Sequence, residues 1–175
     1  MPIIANSSGG GGDFVPCPQG VWNAVCCDVV DIGVLEVTYS GKTKKQHKIY
    51  ISWQIEELME DRKPFLATKR YTLSLHEKAT LRKDLESWRG RPFTDDELGG
   101  FDLEKLIGVP CMLNVVENRK DGKVYGNVTA IMRLRKGEEA LRVRDYVRVI
   151  DRKPEDEQGP PEQDFHGITD DLDPF

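Results

Sequence analysis

Residues 42 to 55 read Lys-Thr-Lys-Lys-Gln-His-Lys-Ile-Tyr-Ile-Ser-Trp-Gln-Ile, and the second half of this stretch alternates strictly. Ile49, Ile51, Trp53 and Ile55 fall on one face, and Lys48, Tyr50, Ser52 and Gln54 on the other. A period of two, with β-branched and aromatic residues on the apolar face, predicts a half-buried β-strand. Its polar face is expected to look outward, with a lysine and a tyrosine side by side. Just before it, Lys42, Lys44 and Lys45 form a basic loop with no acid among them.

Working outward, residues 21–31 are rich in valine and cysteine, and the apolar pattern breaks at Gly33 and resumes over residues 34–39. One long, bent strand with a bulge near Gly33 is predicted. Ser40-Gly41 turns it into the opening strand as a hairpin. Residues 65–75 predict a third strand, with Tyr71, Leu73 and Leu75 opposite Arg70, Thr72 and Ser74. Ser74-Leu-His-Glu77 has the form of a capping box and predicts a helix start there. Leu81, Leu85 and Trp88 recur at i, i+4 and i+7 as one apolar stripe, and Gly90 and Pro92 end the helix. Thr94-Asp-Asp-Glu97 repeats the capping pattern, and residues 101–107 make another short turn. Residues 109–116 and 124–134 read as strands four and five, joined by Lys120-Asp-Gly-Lys123 with its Asp-Gly hairpin signal. Arg133, Arg135 and Lys136 close the fifth strand in a basic cluster. Residues 141–150 alternate apolar and basic side chains and read as a further strand.

Three strands, a helical insert and two strands make a mainly β fold, with the element order of a five-stranded OB barrel whose helices lie between strands three and four. That barrel takes oligonucleotides on its strand two to three face and adjoining loops.

At 175 residues the chain is one domain with tails. The expected division is a flexible arm over residues 1–13, the barrel over 14–153 and a disordered acidic tail over 154–175. No apolar run reaches the length of a membrane helix and no signal-peptide pattern opens the chain, so a soluble, cytoplasmic protein is expected. Cys17, Cys26, Cys27 and Cys111 show no C-x-x-C spacing, and His47, His76 and His166 are scattered; free thiols are expected, with neither metal nor cofactor. The formal net charge of −5 argues against nucleic acid until its distribution is read. From residue 154 onward there are 8 acids and no lysine or arginine, while the rest holds 22 acids against 25 bases. A mildly basic body with an acidic tail is an arrangement found in interaction proteins.

Lysines beside an aromatic ring on an open strand are how a protein meets a single nucleic-acid strand, phosphates on the cations and bases on the ring. Lys42, Lys44, Lys45, Lys48, Arg70 and Arg133 are the candidate phosphate contacts, and Tyr50, Tyr125 and Trp22 the candidate stacking rings. For Trp22, core packing competes with that role.

Residues 20–33, 41–53, 71–94 and 101–110, together with Asn127-Val-Thr-Ala-Ile131, resemble bacteriophage OB-fold single-stranded DNA-binding proteins, a resemblance that spans residues 14–135. Separately, Asp170-Asp-Leu-Asp-Pro-Phe175 is similar to the acidic tip of bacterial single-stranded DNA-binding proteins. The long helical insert departs from the bacterial pattern, so the bacterial tetramer is not carried over. The resemblance implies a non-enzymatic protein that coats single-stranded DNA without sequence preference in phage replication, recombination or repair. It implies that Asp170, Asp171, Asp173, Pro174 and Phe175 bind replication and repair proteins. Two alternatives stand beside it. One is a protein-only adaptor built on the same barrel. The other is a small metal-dependent nuclease, for which Asp28 with Asp31, or Asp95, Asp96 and Glu97, are the available acids.

Overall fold

Gly20–Tyr39 forms one strand, β1, bent by two irregularities in its register against β2 (Lys42–Leu58). The register slips between Cys26 and Asp28 and again between Asp31 and Gly33. Gly33, at φ +90°, supplies the left-handed backbone at the second slip. Ser40 and Gly41, at φ 50° and 75°, close the hairpin with both central residues left-handed, which matches the twist of the strands they join. The computed structural model describes residues 15–152 and the backbone of residues 169–170. The expected N-terminal arm and most of the acidic tail, including Asp171, Asp173, Pro174 and Phe175, lie outside the described residues.

After β3 (Pro64–Thr72) the structure departs from the expectation. No helix starts at Ser74: its Oγ accepts from the His76 N–H at 3.1 Å, a local turn that uses up the capping oxygen. Helix α1 (Thr80–Arg89) begins later, with Ala79 at the N-cap position and no side-chain cap. Its predicted stripe holds, since Leu81, Leu85 and Trp88 are all buried. Gly90, left-handed at φ 71°, ends it and donates its N–H to Glu86. Helix α2 (Asp95–Leu98) carries the expected capping box of Thr94 with Glu97, and Leu103–Leu106 makes a 3₁₀ turn. β4 (Pro110–Lys120) and β5 (Lys123–Met132) meet at Asp121-Gly122, again a left-handed pair.

The strands form one sheet in the order β5-β4-β1-β2-β3-β6, where β6 is the short pairing of Thr169–Asp170 with Lys69 and Arg70 of β3. β1 to β5 pair antiparallel throughout, and β6 runs parallel to β3. The sheet curls until β5 comes beside β3 and β6, yet no ladder joins them among the described residues. The expected closed barrel is therefore an open, strongly bent sheet, because the outer edge of β3 is partly taken by β6, and α1 packs against both β3 and β5.

Inside the curl, one cluster gathers Ile49, Ile51, Trp53 and Ile55 of β2 with Leu113, Val115, Val128, Ile131 and the α1 stripe. The opposite face of β2 corrects the expectation of an open polar surface. Lys48, Tyr50, Ser52 and Gln54 do not look into solvent; each is buried, Tyr50 at 8% exposure and the others at 4%. Part of the cover comes from residues 141–152. The alternation there predicts a strand, but the segment is irregular, with Asp145 left-handed and a 3₁₀ turn at Val149–Asp151. Its polar backbone atoms are met by side chains of β1 and β2 instead of by a ladder, which is why it lies across the sheet as a strap.

Candidate nucleic-acid interface

Two hairpin ends each carry a cluster of exposed cations. At the β1–β2 turn, Lys42, Lys44 and Lys45 are exposed, and Tyr39, 56% exposed, pairs in register with Lys42. At the β4–β5 turn, Arg119, Lys120 and Lys123 are exposed, and Tyr125 is half-buried two residues into β5. Both turns are tight, so their flanking cations sit close along the chain; Glu36, across from Lys45, and Asp121, within the second turn, offset part of a field that a polyanion relieves further. Tyr39 and the second basic turn are not among the sequence candidates. A signal for the turn exists, since lysines flank Asp121-Gly122 just as they follow Ser40-Gly41, but its Asp-Gly turn chemistry alone accounts for the stretch.

The remaining sequence candidates divide. Lys48, Tyr50 and Arg70 come together on β2 and β3: Tyr50 pairs with Arg70, and Lys48 pairs with Thr72 and donates to its hydroxyl at 2.7 Å. Burial pushes the Tyr50 phenol up to about 12, with the Asp28 carboxylate adding to the effect. Trp22 is partly buried against the core; its indole lies over Gly20 and donates to the Pro18 carbonyl at 2.9 Å. Arg133 stands apart from the strand face, exposed and packed against Gly90 at the end of α1.

The strap is held by two anchors. The Gln54 amide donates to the Arg144 carbonyl at 2.7 Å and accepts from the Arg144 N–H at 2.8 Å, imitating one rung of a ladder. Asp28, fully buried, accepts from the Tyr146 hydroxyl at 2.9 Å, the Val149 N–H at 2.9 Å and Arg148 Nε at 3.2 Å. A buried carboxylate persists only with such a set of donors, because its desolvation is otherwise far too costly. Arg148 also reaches Glu104 at 2.7 Å, so two acids raise its pKa, and burial beside Asp28 raises that of Tyr146. Arg142 and Arg144 remain exposed on the outer side of the strap.

The acids considered for a metal are engaged otherwise. Asp28 anchors the strap. Asp31 meets His47 at 2.6 Å and the Gly33 N–H, and these hydrogen bonds hold its carboxyl below the ordinary range. Asp95, Asp96 and Glu97 form the first turn of α2, with Glu97 paired to Arg89 at 2.6 Å. Among the described residues no three His, Cys, Asp or Glu side chains gather as a metal site would require. All four cysteines are free and buried. No described helix is long and apolar enough to cross a membrane. In comparisons with known proteins, no family model and no curated protein matches this chain.

Proposed function

We propose that the chain binds single-stranded DNA without sequence preference, as an accessory of (phage) replication, recombination or repair, and engages partner proteins through its acidic 170–175 segment. The observation that supports this most is the pair of basic hairpin ends on a curled sheet of five antiparallel strands extended by the short β6, with β1 between β2 and β4 and the helices inserted between β3 and β4. This arrangement supports reading the sheet as an opened OB-type barrel, a fold whose loop between strands one and two and loop between strands four and five hold oligonucleotides. On this reading Lys42, Lys45, Arg119, Lys120 and Lys123 take phosphates, Tyr39 and Tyr125 offer rings for stacking, and Tyr50, buried, is not among the contacts.

A fluorescence titration with oligo-dT at two salt concentrations tests it. Affinity should fall steeply with salt. Replacing Lys42 and Lys45 by Ala should flatten the logarithmic slope by roughly 0.7 for each phosphate that is no longer neutralised. Tyr125→Ala should weaken binding by about 1–3 kcal/mol. An oligo-dT affinity that is absent at low salt, or indifferent to both turns, would leave the protein-only adaptor as the better reading.

A further inference from the structure

On the helical side of the molecule, away from the hairpin turns, α1, α2 and the Leu103–Leu106 turn enclose a cavity of about 540 Å³. Its walls are apolar, from Leu85, Trp88, Phe101, Leu106 and Pro110. Its cations are Arg89, Arg91, Lys105 and Arg133; among the described residues, Glu97 is the only acid that lines it, and it is already paired to Arg89. Arg89 Nη1 is buried and has no hydrogen-bond partner among the described residues. An apolar hollow rimmed by surplus cations fits a ligand with an apolar or aromatic body flanked by carboxylates.

A nucleobase fits less well. Phe93 and Phe101 meet edge to face and both lie under the Arg89 guanidinium, at 4.7 and 5.7 Å, while Trp88 is buried against Trp53. These rings are engaged with one another and with Arg89, so the cavity lacks the open platform that base stacking uses.

We infer that this cavity receives an acidic, aromatic-bearing peptide segment, and that its occupant is this chain's own 171–175, Asp-Leu-Asp-Pro-Phe. Leu172 and Phe175 supply the apolar body, and Asp171 and Asp173 face the cationic rim. The tether starts beside α1, which supplies part of the cavity wall. Asp170 pairs with Arg70 of β3; the neighbouring Lys69 holds Asp84 of α1 at 2.8 Å, and Leu85, the next residue, is cavity wall. β6 runs parallel to β3, toward Tyr71, whose hydroxyl also donates to Asp84. Five extended residues reach about 17 Å beyond Asp170. At that tether length the effective concentration is about a millimolar, so even a weak intrinsic affinity keeps the site filled.

The test uses the full chain and a fluorescein-labelled peptide with the sequence of residues 170–175, read by anisotropy. Phe175→Ala should vacate the cavity and bind the peptide, and the unaltered chain should bind it about tenfold more weakly through self-occupancy. Adding Lys105→Glu and Arg91→Glu, both at exposed positions, should cost the Phe175→Ala chain at least tenfold in peptide affinity, with an unchanged circular dichroism spectrum confirming the fold. A peptide whose phenylalanine is alanine should not bind. Equal peptide affinity for the unaltered and Phe175→Ala chains would overturn self-occupancy, and indifference to the charge reversals would overturn the site. Oligo-dT affinity should be unchanged by those reversals; if it weakens, the cavity belongs to nucleic acid and the inference fails.

Discussion

Trp53 and Trp88 meet in the core with ring centroids 6.0 Å apart, and the Trp53 indole N–H is buried without a hydrogen-bond partner among the described residues. The ring gives packing energy while its nitrogen carries a desolvation penalty of about 1–3 kcal/mol. Two substitutions separate these terms. Trp53→Ala should destabilise by about 3–5 kcal/mol in urea unfolding, because it leaves a cavity beside Trp88. Trp53→Phe should cost less than about 1.5 kcal/mol, since the smaller ring is offset by removing the orphaned donor. Equal destabilisation in the two variants would mean that the N–H is satisfied in solution. Sequence alone assigns Trp53 to the core through its place in the alternation, but gives no sign of the missing partner, which depends on what lies opposite in the packed interior.

At the scale of elements, the strap is the part that sequence reasoning misjudges most. Leu141, Val143, Val147 and Val149 alternate with Arg142, Arg144, Tyr146 and Arg148 as a strand would. The alternation instead places buried polar groups on Asp28 and Gln54, whose identities look like ordinary strand polarity until their partners are known. The same ignorance misplaces Lys48 and Tyr50: a period of two reports that a strand has two faces, and cannot report that both are covered. The tight turns at Ser40-Gly41 and Asp121-Gly122, the α1 stripe and the Thr94 capping box are legible because their causes are local. Since Asp28 fastens the strap, Asp28→Asn should loosen it by removing the charge that holds Arg148. Trypsin should then cut faster after Arg142 and Arg144 while far-ultraviolet circular dichroism stays constant. The Tyr50 phenol, now near 12, should titrate closer to its ordinary value of about 10 in absorbance at 295 nm. Unchanged cleavage would mean that Gln54 and the Arg148–Glu104 pair suffice as anchors.

Across the whole molecule, the carboxyls of Asp31, Glu86 and Glu97 share a feature: hydrogen bonds from His47, Arg82 and Arg89 respectively hold each below its ordinary value. The unfolded chain binds protons at these sites at higher pH than the folded one. Their contribution is therefore present above the unfolded carboxyl range, about 3.9–4.3, and is lost as pH falls through the lower folded values. The thermal midpoint should be nearly level from pH 7 to pH 5 and drop below pH 4, and Glu97→Gln should make that drop shallower. An identical acid profile for the variant would remove Glu97 from the account. The strap has a further consequence, in time. Gln54 waits for a partner 90 residues downstream, and Asp28 for one 121 residues downstream. A ribosome adding about 5–20 residues per second leaves the outer face of the β1–β2 hairpin, with its bare carboxylate, uncovered for roughly 6 to 24 seconds during synthesis. In that interval the nascent hairpin has its basic turn and its Tyr50 ring both open to water, so a newborn chain meets its surroundings with a surface that the finished one has put away.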